Sequence, residues 1–367
     1  MSKNLSYGSV CSGIEAASVA WHNYATPAWF SEISKFPSAV LAHHFPTVAN
    51  LGDMTKIKDK IQALEVCAPD VLVGGTPCQA FSIAGLRGGL ADPRGGLSLS
   101  FIELANKIDE VRHAKKQKPA FILWENVIGV LSSKDNAFGC FLAGLAGETI
   151  PLLSPRGSWP NAGCVVGTQR TIAWRVLDAQ YFGLAQRRLR VFALAIDNSA
   201  NIDPARILFE FEGTRLDSPP RNSSGHPLAP SDGSSPQHPI VIQGNVIGRQ
   251  PKNGPAGKGY SDSGVCFTLN CTDRPAVATK DAPLRRLTPI EHERLQGFPD
   301  NWTNIPWPSS RVVSLPTARA NLLRGTGLDG HRYHAVGNSM AVPVMGWIGQ
   351  RMFAALQAQH TKTLSTQ

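Results

Sequence analysis

An α/β fold on an open, parallel sheet is predicted by two observations in this 367-residue chain. Apolar, β-branched runs at residues 7–11, 71–73 and 119–124 each stop abruptly at small or polar residues. Between them lie stretches of helical spacing, the alternation that crossover units require. Each of these strands ends beside a residue capable of chemistry, and ligands of open α/β sheets sit at the carboxyl rim.

Composition bounds the function classes. Lysine and arginine outnumber aspartate and glutamate by 36 to 27, a surplus of +9 that favours a polyanionic partner. Residues 1–8 lack the basic start and apolar core of a signal peptide, and no apolar stretch nears the ~20 residues of a membrane span. Seven cysteines, without any CxxC spacing, argue against a disulfide framework and for a reduced cytoplasm. Cys266 and Cys271 are not followed by paired histidines, so no metal site is expected.

Taken in order, residues 7–11 form a strand that meets Ser12-Gly13, and helical composition follows from Ile14 to Trp21. Strand, small residues and helix make an entry suited to close ligand approach. A second strand around Ala28-Trp29-Phe30 closes at Ser31-Glu32, and Asp53 tips the next segment. Carboxylates there can accept hydrogen bonds from ribose hydroxyls or simply cap helices. Residues 71–73 lead through Gly74, Gly75 and Pro77 to Cys78, which taken alone is either a nucleophile or a packing thiol.

A helix is expected from about Leu99 to Ile108, and the basic run 112–118 reads as its solvated end. The strand at 119–124 stops at Glu125-Asn126-Val127. A carboxylate after five apolar residues is costly unless it is paired or has a raised pKa that lets it give up a proton. A helix-like stretch then ends at Phe182-Gly183. Beyond it, Gln186, Arg188 and Arg190 share one face of a strand, a site for phosphate or a carbonyl oxygen.

Between residues 217 and 264, 24 of 48 residues are glycine, proline or serine, which predicts a loop-rich insert. Strand-like pieces at 240–242 and 265–270 give it β character. Thr288, Pro289 and Glu291 predict a capped helix ending at Gly297, and residues 310–332 read as loop. Met345, Ile348, Met352 and Leu356 mark a C-terminal amphipathic helix.

A thiolate, a proton donor and cations at one rim suit covalent activation of a pyrimidine ring, whose C5 is otherwise a poor nucleophile. The ordered set Ser12-Gly13-Ile14, Gly52-Asp53, Pro77-Cys78-Gln79-Ala80-Phe81-Ser82, Glu125-Asn126-Val127, Gln186-x-Arg188-x-Arg190, Leu295-Gln296-Gly297-Phe298-Pro299 and Gly337-Asn338-Ser339 resembles the DNA cytosine-C5 methyltransferase family. The likeness spans nearly the whole chain apart from residues 198–283, and its form is similar to phage, prophage and bacterial members.

The resemblance implies a Rossmann-like, S-adenosylmethionine-dependent catalytic domain at residues 1–197 and 333–367. Residues 198–332 would be a smaller, mostly β target-recognition domain and hinge. It implies Cys78 as nucleophile, Glu125 as proton donor to N3, and Arg188 and Arg190 as catalytic and phosphate ligands. Gln79, Ser82, Asn126 and Thr268 would touch nucleic acid. Cys11, Ser12, Gly13, Ile14, Glu32, Ile33, Asp53, Met54, Pro77, Leu97 and Asn338 would line the cofactor site. The first motif departs from the family in carrying Cys11 where Phe is usual and Glu15 after Ile14.

The expected partner is double-stranded DNA, with the target base flipped out of the stack and a restriction endonuclease as functional companion. A monomer without metal or membrane attachment is expected. Two rivals share these motifs: a tRNA cytosine-5 methyltransferase and a non-catalytic DNA-binding regulator. The glycine-rich insert favours DNA, and intact Cys78, Glu125, Arg188 and Arg190 favour catalysis.

Overall fold

The computed structural model describes residues 5–76, 96–154, 157–210, 238–247, 257–270, 274–279, 282–307 and 317–364. Its strands are β1 (Leu5–Val10), β2 (Ala25–Ser31), β3 (Val71–Gly74), β4 (Phe121–Val127), β5 (Ala162–Val166), β6 (Arg170–Asp178), β7 (Leu189–Asp197), β8 (Ile240–Ile242), β9 (Tyr260–Ser261), β10 (Ala276–Thr279) and β11 (Ala282–Arg286). The helices are α1 (Ala16–Trp21), α2 (Lys35–His44), α3 (Ile57–Gln62), α4 (Gly96–Ala114), α5 (Ala137–Ala146), α6 (Ala205–Leu208), α7 (Pro289–Gln296), α8 (Thr317–Asn338) and α9 (Val342–Leu364).

The large sheet has the order β2-β1-β3-β4-β7-β6-β5. Its first four strands run parallel, whereas β7, β6 and β5 pair antiparallel in succession. The sheet is therefore mixed rather than wholly parallel. Because β7 runs against β4, its beginning reaches the same rim as the end of β4, with Arg190 opposite Val127. That reversal brings Arg190 to the level of Glu125.

Strand alternation divides the core into two layers. Tyr7, Phe30, Val71, Val73 and Leu123 pack with Trp21 of α1, Phe36 of α2 and the buried Met345, Ile348 and Met352 stripe of α9. On the other face Val10, Trp29, Leu72, Ile122 and Trp124 pack with Ile57 of α3, Phe101 and Leu104 of α4, and Phe138 of α5. Gly8 is required between them, because a side chain there would overlap the indole of Trp29.

The second sheet is small and antiparallel, in the order β11-β10-β8-β9. Residues 265–270 do not join it as a strand; their bridge is the single parallel one between Cys266 and Gln186. Residue Leu269 is nevertheless buried, and its N–H donates to Gln186 Oε1 at 2.9 Å.

Several expectations are corrected. The stretch before Gln186 is strand β6 followed by one 3-10 turn at Ala179–Phe182, not a helix. Residues 317–332 belong to helix α8 rather than a loop, and the expected 332/333 boundary falls inside that helix. Arg112 is not solvated: it is buried, with Nη2 on Asp70 Oδ1 at 2.7 Å and Nη1 on the Ala68 carbonyl. Here the cation ties the start of β3 to β1, because Asp70 also accepts from the N–H and hydroxyl of Ser6.

Candidate active site

A cleft opens at the carboxyl rim where β1, β3 and β4 meet the turn between α8 and α9. Its lining includes Cys11, Ser12, Gly13, Glu15, Gly75, Glu125, Asn338 and Met340. Residues from four distant parts of the sequence thus share one space, as the rim argument requires.

The turn after β1 is held in an unusual shape. Cys11, Gly13 and Glu15 all adopt positive φ, at 50°, 57° and 63°. Such geometry strains non-glycine residues, so the surroundings must fix it. Ser12 does part of this: its hydroxyl donates to the Ser9 carbonyl at 3.0 Å and accepts from the Ser31 N–H at 3.1 Å. Gly13 donates its N–H to Glu32 Oε2 at 2.8 Å, while Oε1 accepts from Ser34 N–H at 2.7 Å. A Cβ on Gly13 would meet nothing within 4 Å, so the turn faces open space.

Glu15 is the residue that sequence reasoning left without a site role. It caps α1, accepts from the Ser18 N–H and hydroxyl, and is 1% exposed. Burial pushes its carboxyl pKa up, against the hydrogen bonds from Ser18 and Ser9. Its sequence signal was the Glu-x-x-Ser spacing at a helix start, which is the reverse of the usual cap pairing.

Glu125 sits in the cleft at the end of β4, with its side chain 13% exposed. Burial raises its pKa, and the charges of Arg190 and Arg188 oppose that rise. Arg190 Nε lies 3.2 Å from Glu125 Oε1, and its Nη1 donates to the Leu189 carbonyl. A Cβ on Gly75 would come within 3.0 Å of Glu125 Oε2, so glycine keeps that oxygen accessible from β3.

Arg188 differs from the expectation of a ligand-facing cation. It is 2% exposed and donates to the carbonyls of Leu269 (3.0 Å), Gly337 (3.1 Å) and Ser339 (2.6 Å). Its buried Nε has no hydrogen-bond partner. Burial, with the neighbouring Arg190 charge, lowers its pKa. Gln186 beside it donates to the Leu295 carbonyl and Gln296 Oε1, and Gln296 in turn donates to Val336 and Ser339 carbonyls. This buried hub ties β7, residues 265–270, α7 and the turn after α8.

Asn126 is likewise committed: its amide donates to the Thr76 carbonyl at 2.9 Å and it is 5% exposed. Thr268 is exposed, yet its hydroxyl donates to the Arg187 carbonyl at 2.6 Å. Ile14 is fully buried and offers only backbone, with its carbonyl taken by Trp302 Nε1.

Asp53 caps the 3-10 turn Met54–Lys56, and hydrogen bonds from Thr55 lower its pKa. Ile33 is 77% exposed beside Glu32, while Met54 is buried with its sulfur 3.8 Å from that of Cys11. Leu97 packs on the second core layer. Asn338 is exposed on the cleft and within 3.3 Å of His334 Nδ1.

Pro77, Cys78, Gln79 and Ser82 lie outside the described residues. The chain enters that segment from Thr76, which is buried and fixed by Trp124 Nε1 at 2.9 Å and by Asn126. Among the described residues no cluster of metal-ligating side chains occurs, and no helix is long and apolar enough to cross a membrane.

Residues 5–147 match the family model for C-5 cytosine-specific DNA methylase. That match covers under half of the chain. It is 28% identical to the type II methyltransferase M2.BsuMI of Bacillus subtilis, over 94% of this chain and 74% of that protein. It is 41% identical to a DNA N-6-adenine-methyltransferase of Escherichia phage P1, over 97% of this chain but 62% of the relative. The chain thus spans under two thirds of that phage protein's length. The crystal structure of S. pombe Dnmt2 methyltransferase shares the fold, with a TM-score of 0.58, 17% identity and coverage of 97% of this chain and 99% of that one.

Proposed function

We propose that this chain methylates C5 of cytosine in a specific sequence of double-stranded DNA, with S-adenosylmethionine as donor. The observation that carries the reading is the Glu125–Arg190 pair, a buried carboxyl with a raised pKa held 3.2 Å from a guanidinium in the same cleft as the glycine turn. That pair suits a pyrimidine edge that presents a ring nitrogen beside a carbonyl oxygen.

In the proposed reaction the Cys78 thiolate adds to C6, forming the S–C bond and pushing electrons toward N3. The carboxyl of Glu125 gives N3 its proton. Arg190 meets O2 with its Nη2, which has no partner among the described residues. C5 then has enamine character and would take up a methyl group as that group's bond to the donor sulfur breaks; loss of the C5 proton to a base, return of the N3 proton to Glu125 and departure of the thiolate restore the ring. The target base must leave the duplex for its C6 to meet a thiol.

S-adenosylmethionine supplies an electrophilic methyl group on a sulfonium and leaves as S-adenosylhomocysteine. The residues present fit it: the open space at Gly13, the backbone of residues 11–14, the Glu32 carboxylate that holds the Gly13 N–H, and Asn338 in the cleft lining. Ile33 offers an exposed apolar surface beside Glu32. The small sheet and the residues around it would read the DNA sequence.

A second reading follows from the phage P1 relative, whose name specifies N6 of adenine. That edge of adenine has no carbonyl for Arg190 to meet, which is why cytosine is preferred here. The test is a duplex carrying 5-fluorocytosine at the target position, incubated with the protein and S-adenosylmethionine. A covalent complex stable to denaturing gel electrophoresis, absent with Cys78→Ser, is expected. An active enzyme that forms no such complex would rule out the covalent route.

A further inference from the structure

Three guanidinium groups lie within four residues at the start of β7, and they do not share one environment. Gln186 is fully buried, Arg187 exposed and Arg188 buried again, so the side chains alternate as a strand's do. Arg188 is spent on three carbonyls and Arg190 on Glu125 and Leu189. The guanidinium of Arg187 has no hydrogen-bond or ion-pair partner among the described residues. Two other exposed arginines differ: Arg285 is paired with Glu291 at 2.8 Å and Arg294 with Asp300 at 2.5 Å.

The backbone of Arg187, by contrast, is gripped on both sides. Its N–H donates to the Cys266 carbonyl at 2.9 Å, and its own carbonyl accepts from the Thr268 hydroxyl at 2.6 Å. Cys266 N–H closes the bridge on the Ala185 carbonyl at 2.8 Å. An exposed cation on a braced backbone loses less freedom on meeting a ligand than one on a mobile loop. Electrostatics point the same way. Arg188 and Arg190 already act on Glu125, while Arg187 has no carboxylate partner among the described residues, so its charge is left for an anion to meet.

We propose that Arg187, not the buried Arg188, is the arginine of this strand start that contacts a DNA phosphate beside the target base. This inference rests on the DNA-methylating function proposed above and deepens it. Arg187 is three residues from Arg190, about 10 Å along the chain, and alternation turns it away from the cleft, so the phosphate it meets lies outside the cleft and next to the one Arg190 would approach. Thr268 acts here as a brace behind the contact. Arg188 becomes a positioning residue, joining the segment around Leu269 to the turn after α8.

The test is duplex binding by the full chain, measured by fluorescence anisotropy at several sodium chloride concentrations. Each neutralised phosphate adds about 0.9 to the slope of log affinity against log salt. Arg187→Gln should flatten the wild-type slope by about 0.9, making the affinity lost between 50 and 200 mM salt roughly threefold smaller. Arg187→Lys should restore the slope, since charge rather than shape is read, and a merely structural role would not give that rescue. A wild type that binds with a steep slope shared by Arg187→Gln would overturn the inference alone. A wild type without salt-dependent duplex binding would overturn both the inference and the function on which it rests.

Discussion

Glu125 is where burial and charge act against each other. Burial makes its ionised form costly, while Arg190 and Arg188 favour that form, and the net result is a raised pKa. As proton donor it must be protonated, so turnover should fall as pH rises through that pKa. Replacing it with Gln keeps the hydrogen bond to Arg190 but removes the transferable proton. Glu125→Gln should lower kcat by about 10²–10⁴-fold with DNA affinity retained, measured by single-turnover methyl transfer. His292 gives a separate, structural pH effect. It is fully buried, its Nε2 has no partner, and burial lowers its pKa to about 4. The unfolded chain binds this proton near pH 6.5, so stability is complete above that pH and falls as pH drops toward 4. The loss is on the order of 3 kcal/mol, and urea titrations across that range should show it shrinking in His292→Asn.

Among the elements, local rules were legible where one short segment decides its own structure. Thr288, Pro289 and Glu291 form the full capping box of α7, with Glu291 Oε2 2.7 Å from the Thr288 N–H, and Gly297 ends the helix at φ 82°. Thr288→Ala should cost about 1 kcal/mol in chemical denaturation. Helix α8 was illegible for the opposite reason. It carries Gly325, Gly327, Gly330 and Gly337, each a weak helix former. Its described part is held from outside: His331 stacks on Phe36, Tyr333 donates to the Leu287 carbonyl, and Arg332 meets the buried Glu293 at 3.0 Å. Glu293 also accepts from the hydroxyl of Thr303. Tertiary partners far away in sequence made that helix, and no window of the sequence displays them. The same limit applied to Arg112 and Arg188, whose charge marked them for solvent or ligand until buried carbonyls and Asp70 claimed them.

The whole molecule joins two sheets through a polar hub. Gln186, Arg188 and Gln296 satisfy carbonyls of Leu269, Leu295, Val336, Gly337 and Ser339, so residues 265–270, α7 and the turn after α8 meet at the start of β7 through hydrogen bonds. Motif order predicted that these segments converge; the antiparallel turn of β7 that aligns Arg190 with Glu125 did not follow from order. The cleft was legible in part because strand ends collect at a rim, which is where Glu125 lies; Cys11, Gly13 and Asn338 were grouped only through the resemblance of their motifs. Which arginine faces out depends on alternation and on partners a hundred residues away. The measurement that bears most directly on the function is transfer of label from S-adenosylmethionine to unmethylated duplex DNA, with the product bases separated and identified. The predicted result is label in 5-methylcytosine alone, lost in Cys78→Ser. Label in N6-methyladenine, or transfer that survives Cys78→Ser, would contradict it.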